Sequence, residues 1–172
     1  MVATMLLATA VVSVAHLFVL ATRSNLSAQR QTYASTLAQE KMEQLRGLAW
    51  GYDDVGLPIS DYSTDLALDP PDPDDGVGLA PSPGNALAAN VNGYVDYLDR
   101  YGRSLGGGET VPANTVYVRR WSVEPLPTNP NNTLILQVLA FSVGDRPDTD
   151  GPVLDHGRDE GRLVSVKTRK AR

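Results

Sequence analysis

The feature that most constrains this chain is a helix-forming run with no proline and no glycine across residues 1–46. Its first part, residues 1–21, is almost wholly apolar. Its second part, within NLSAQRQTYASTLAQEKMEQLRGLAW (residues 25–50), is polar yet still helix-forming. The first charged residue is Arg23, and the 22 residues before it would rise about 33 Å as a helix, close to a hydrocarbon core of roughly 30 Å. Thr4, Thr9, Ser13 and Thr22 fit such a span because their hydroxyls return to the backbone one turn earlier. His16 fits only when neutral or facing another helix. Ala3, Ala8, Ala10 and Ala15 let neighbouring helices approach closely. One helix, greasy in its first half and amphipathic in its second, reads as a membrane stalk and points to an assembly subunit rather than a soluble enzyme.

The competing reading is a secretory signal peptide, with Val19-Leu20-Ala21 as a small-residue cleavage site. No positive n-region follows Met1, and the apolar stretch is longer than the usual h-region of such a peptide, so the stalk is preferred. Charge bias does not settle orientation. Arg23 and Arg30 follow the span and, read alone, would place the downstream chain inside the cell, with no preceding charges for comparison.

The amphipathic half carries a stripe of Ala34, Leu37 or Ala38, Met42, Leu45 and Ala49 at spacings of three and four. Thr32, Ser35, Glu40, Glu43 and Arg46 fall largely off it, and Glu43 and Arg46 are placed for an exposed ion pair. Such a stripe must pack on something, and the rest of the chain is the obvious partner. Trp50-Gly51-Tyr52-Asp53-Asp54 closes the helix with a glycine and aromatic anchors.

Beyond the stalk, a 172-residue chain leaves enough for one small domain. It has no cysteine, which excludes disulfides, Cys-based zinc sites and thiol nucleophiles. A net charge of −5 argues against nucleic acid as the main partner. The basic residues at the C-terminal end (Lys167, Arg169, Lys170, Arg172) read as a solvated strand end.

Residues 51–92 are dense in proline and aspartate and read as a long excursion, with a short extended piece at 61–68. Strands are expected at 94–98, 115–124, 133–143 and 163–169, with turns at 99–103 and 125–132. In the second of these, Val116, Val118 and Arg120 share one face while Tyr117, Arg119 and Trp121 share the other, so both faces are mixed. Gly106-Gly107-Gly108 reads as a flexible turn, and 144–161 as a second acidic loop. The order predicts an α+β fold, with three or four antiparallel strands laid on the amphipathic half of the helix. The expected division is 1–22 (membrane or filament-core half), 23–50 (amphipathic half), 51–92 (acidic loop region) and 93–172 (sheet of the head).

With these elements placed, the chain resembles type IV pilin-like proteins. More narrowly it is similar to minor pilins of the pilus-modification type and to the small pseudopilin of type II secretion. The opening MVATMLLATAVVSVAHLFVL, the helix segment STLAQEKMEQLR, and the strands VYVRRWSVEPLP, NTLILQVLAFSV and RLVSVKTRKA carry the resemblance. Such proteins begin with a short basic leader ending in Gly, then Phe or Met, and a glutamate a few residues after the cut. Here Met1-Val2-Ala3 looks like the stretch that normally follows that glutamate, so a truncated start is expected.

The resemblance implies a non-enzymatic subunit. Its partners would be other pilins or pseudopilins, and the inner membrane before assembly. A single-pass helix would hold the head in the periplasm, for later display on a surface pilus or a periplasmic pseudopilus. Leu6, Leu7, Val11, Val12, Leu17 and Phe18 would carry helix packing, and Ala34, Leu37, Met42 and Leu45 would seat the head.

Catalytic patterns are lacking. His16 sits in the apolar run and His156 in a loop, and G-x-S-x-G, H-E-x-x-H and phosphate-loop glycine patterns are missing. The remaining candidate chemistry is Ca²⁺ binding by Asp72, Asp74, Asp75, Asp148 and Asp150, which offer oxygen ligands on turn-forming backbone. Neither cluster has EF-hand spacing, and solvated acidic loops are the simpler reading, so no cofactor is expected.

Overall fold

The computed structural model describes residues 2–61, 77–143 and 160–169, the side chains of residues 3–10 excepted. It has an α+β architecture. Helix α1 (Val2–Gly47) is followed by β1 (Trp50–Tyr52), β2 (Pro58–Ser60), β3 (Val95–Leu98), β4 (Ser104–Gly107), β5 (Tyr117–Pro125), β6 (Thr133–Ser142) and β7 (Glu160–Thr168). β1 and β2 form a small hairpin, and the other five strands form one antiparallel sheet in the order β4-β3-β5-β6-β7.

The 46 residues of α1 span about 69 Å. The helix stops where Gly47 gives way to the hairpin. Lys167 Nζ donates to the Arg46 carbonyl, satisfying one of the last-turn acceptors that a helix leaves open. The Asp61 carboxylate accepts from Ala49 N–H, and Asp61 N–H returns a bond to the Ala49 carbonyl at 3.1 Å. Trp50 and Tyr52, expected to close the helix, instead form a three-residue strand paired with β2 from Trp50↔Ser60 to Tyr52↔Pro58.

The long central strands carry β-branched and aromatic residues along their length. β5 and β6 pair without a break from Tyr117↔Ser142 to Pro125↔Leu134. β6 and β7 pair from Thr133↔Thr168 to Phe141↔Glu160. The sheet has one strand more than expected. Ser104–Gly107 is a strand pairing with β3, so Gly106 and Gly107 are strand residues and not a flexible turn. The extended piece expected at 61–68 falls beyond Asp61 outside the described residues, and the strand found nearby, β2, precedes it.

The main core lies between α1 and the sheet. Ala34, Leu37, Ala38, Met42, Leu45 and Leu48 pack on Tyr117, Trp121 and Val123 of β5 and on Leu134, Leu136, Val138 and Ala140 of β6. Ala49, expected on the same stripe, is exposed, and Leu48 takes its place. A smaller cluster of Val95, Tyr97 and Val118, with Leu105 and Phe141, covers the other face. β3 pairs only with the first half of β5, ending at Val95↔Arg120. Beyond it the 77–92 loop takes over the vacant edge. Ser82 N–H donates to the Val123 carbonyl at 2.9 Å, and its hydroxyl accepts from Val123 N–H at 3.0 Å. Arg120 pins the same loop by donating to Asn90 Oδ1 at 2.8 and 3.1 Å and to the Ala88 carbonyl at 2.9 Å.

β7 runs alongside α1 in the same direction. Gly161 sits against the backbone of Ala34 and Ser35, and Lys167 reaches Arg46. A Cβ at Gly161 would stand 2.6 Å from the Ser35 backbone, so this contact closes only around a residue with no side chain. One end of the sheet therefore lies at the helix's first contact with the head, and the other end lies at the helix C-terminus.

Candidate assembly surface

The two halves of α1 have opposite surroundings. Residues 11–20 are all exposed, with Val12 at 63%, Leu17 at 65% and Phe18 at 69% accessible. The head first touches the helix at Tyr33, whose ring lies 5.0 Å from that of Tyr117. From there to Leu48 the apolar stripe is buried. The exposed half is apolar, continuous and within one helix that is long and apolar enough to cross a membrane. Thr22, at its end, satisfies its hydroxyl internally: Oγ1 donates to the Phe18 carbonyl at 2.9 Å.

The buried half is fixed by more than hydrophobic contact. Asp96 on β3 and Arg119 on β5 are cross-strand partners, and both point to the helix. Arg119 makes a two-pronged bond to Asp96, Nε to Oδ1 and Nη2 to Oδ2, each at 2.8 Å. From α1, Lys41 Nζ meets Asp96 Oδ2 at 3.0 Å and lies 3.9 Å from the centre of the Trp121 ring. Arg119 Nη1 also faces Glu40 Oε2 and the Leu37 carbonyl, both at 3.5 Å. Two positive and two negative groups thus join one turn of helix to two strands. Burial pushes the Asp96 carboxyl up, but Lys41 and Arg119 together outweigh it and hold its pKa below the usual carboxylate value.

A second joint lies at the far end of the helix. The Arg169 guanidinium lies 4.7 Å from the Trp50 ring centre and 5.0 Å from that of Tyr52. It donates to the Asn131 carbonyl at 3.0 Å and the Gly51 carbonyl at 3.2 Å. Lys167, half-buried, has its pKa lowered chiefly by burial and next by the nearby Arg46 charge. Lys167 and Arg169 are thus packing residues rather than a solvated strand end. Lys170 and Arg172 lie outside the described residues.

Of the residues singled out in the sequence, Val11, Val12, Leu17 and Phe18 are on the exposed half of α1. Ala34, Leu37, Met42 and Leu45 are in the helix–sheet core. The side chains of Leu6 and Leu7 lie outside the described residues, as do Asp72, Asp74, Asp75, Asp148, Asp150 and His156. Among the described residues no group of three His, Asp or Glu side chains is placed to hold a metal. Lys41, Asp96 and Arg119 were not among the sequence candidates. The available signal was a lysine on the apolar stripe together with an aspartate and an arginine inside strands.

Compared with known proteins, the chain matches no family model, no curated protein and no solved structure.

Proposed function

We propose that this chain is a structural, non-enzymatic subunit of a type IV pilin-like filament, either a pilus or a type II secretion pseudopilus. One observation carries the reading: an apolar helical segment of about membrane length stands free of a head that grips only the second half of the same helix. In water that surface would be costly to expose. A bilayer covers it before assembly, and neighbouring helices of the same kind cover it in the filament core. The head faces outward and presents its loops to other subunits. In this reading the helix is a single membrane pass, with the head on the periplasmic side.

The test is to place a charge on the exposed half. Val12→Asp and Phe18→Asp should each remove the chain from sheared or purified filaments, with the head still folded by circular dichroism. Normal incorporation of both variants would refute the reading. So would a mature protein whose N-terminal sequence begins at Thr22, the result expected of an exported binding protein with a cleaved signal peptide.

A further inference from the structure

We propose that the end of the head nearest the apolar helix is a docking surface for anionic phospholipid headgroups, holding the subunit upright on the bilayer before assembly. The inference rests on the membrane-stalk reading above and adds a second contact to it. The β3–β4 turn, residues 99–103, sits at the helix's first contact with the head. Gly102, in a left-handed conformation at φ 78°, comes so close to Tyr33 that a Cβ there would stand 2.8 Å from the tyrosine hydroxyl. That approach leaves the turn on the side of the head facing residues 11–32. It is stapled in shape by Asp99, whose carboxylate accepts from Tyr101 N–H at 2.7 Å and Arg103 N–H at 2.9 Å.

What the turn displays suits a membrane surface. Tyr101 is 70% exposed, and the guanidinium groups of Arg100 and Arg103 lie 5.5 and 5.8 Å from its ring centre. Arg23 and Arg30 are exposed on the neighbouring stretch of α1, and the helix carries no acidic residue before Glu40. The turn therefore carries two arginines beside an exposed tyrosine, and the stretch of α1 before it carries two more, in a chain whose net charge is −5. The pairing of basic side chains with an amphipathic aromatic ring is the composition that headgroup layers favour.

The distances agree. With the hydrocarbon edge at Arg23, Arg30 stands about 10 Å above it and Tyr33, which the turn meets, about 15 Å, while the headgroup layer is roughly 5–8 Å thick per leaflet. An extended arginine side chain bridges the remainder, and a helix tilt of about 20° toward the head brings the turn nearer. The acid within the turn, Asp99, is engaged with the turn's own backbone.

The experiment uses the full chain in lipid nanodiscs. Because the protein has no cysteine, single probes can be placed at Ser104→Cys beside the turn and at Val55→Cys in the β1–β2 hairpin at the opposite end. Lipids carry a headgroup quencher, and insertion of α1 is scored separately by protection from protease. The expected result is quenching of the Ser104 probe in discs containing phosphatidylglycerol, none in phosphatidylcholine discs, and none for the Val55 probe in either. Arg100→Gln with Arg103→Gln should lower the docked-to-undocked ratio by about thirtyfold. High salt should weaken quenching in the same way. An inserted helix with no lipid-dependent quenching at Ser104 overturns the docking surface and leaves the stalk standing. Equal quenching in both lipids also overturns it. Failure of α1 to insert overturns both.

Discussion

The two halves of α1 are one continuous helix with two different sources of order. From Tyr33 to Leu48 every buried side chain has its partner within the chain, down to a balanced four-charge joint with β3 and β5. From Val11 to Thr32 the apolar side chains are exposed. The first region explains how the head is built. In the proposed reading the second is covered by something outside the monomer, because an isolated apolar helix gains nothing from facing water. Changes in the packed half should therefore register as lost head stability, and changes in the free half as lost membrane insertion or assembly.

The largest expected effect in the packed half is at Asp96. Asp96→Ala leaves Lys41 and Arg119 buried without their shared carboxylate, and should cost about 3–5 kcal/mol in urea unfolding followed by tryptophan fluorescence. In the free half, Phe18→Ala should change the same midpoint by less than about 0.5 kcal/mol. The joint also carries a pH signature. The Asp96 pKa is lowered in the folded state, so its stabilisation is present above its unfolded value of roughly 3.9. It is lost as pH falls through the lowered folded value. Asp96→Asn should remove that acid-dependent component from a series of unfolding curves.

Smaller effects sharpen the contrast. Leu45→Ala opens a cavity at a fully buried position and should cost about 2–5 kcal/mol. Gly161→Ala drives a methyl group into the Ser35 backbone and should cost about 1–3 kcal/mol by forcing β7 off the helix. Lys167→Ala removes one bond at the helix C-terminus and should cost about 0.3–1 kcal/mol. Each is read by the same unfolding measurement. If Phe18→Ala or Leu17→Ala destabilised the head as much as Gly161→Ala, the division of the helix would be wrong.

The contrast also explains what was legible in the sequence. Helix, class and central strands followed from local pattern. The stripe through Ala34, Leu37, Met42 and Leu45 has helical spacing, and β5, β6 and β7 carry β-branched, aromatic and other apolar residues. The mixed faces at 116–121 were visible too, and the pairing of both Arg119 and Lys41 with Asp96 now accounts for the charge on the helix side. What pattern did not show was long-range partnership. Lys41 looks like a misplaced charge until Asp96, far away in sequence, arrives beside it. Gly161 looks like loop glycine until the helix backbone lies on it. Gly106 and Gly107 weaken any strand signal, yet pairing with β3 holds them in one. The exposed apolar half was fully legible as a segment, but the identity of its covering is not encoded in this chain's own contacts.

The most direct test of the central claim is cysteine cross-linking in cells, on a chain that has no cysteine of its own. Leu17→Cys, on the free half, should form cross-linked adducts with neighbouring subunits. Met42→Cys, under the head at 4% exposure, should form none. Adducts from Met42 and none from Leu17 would contradict the account.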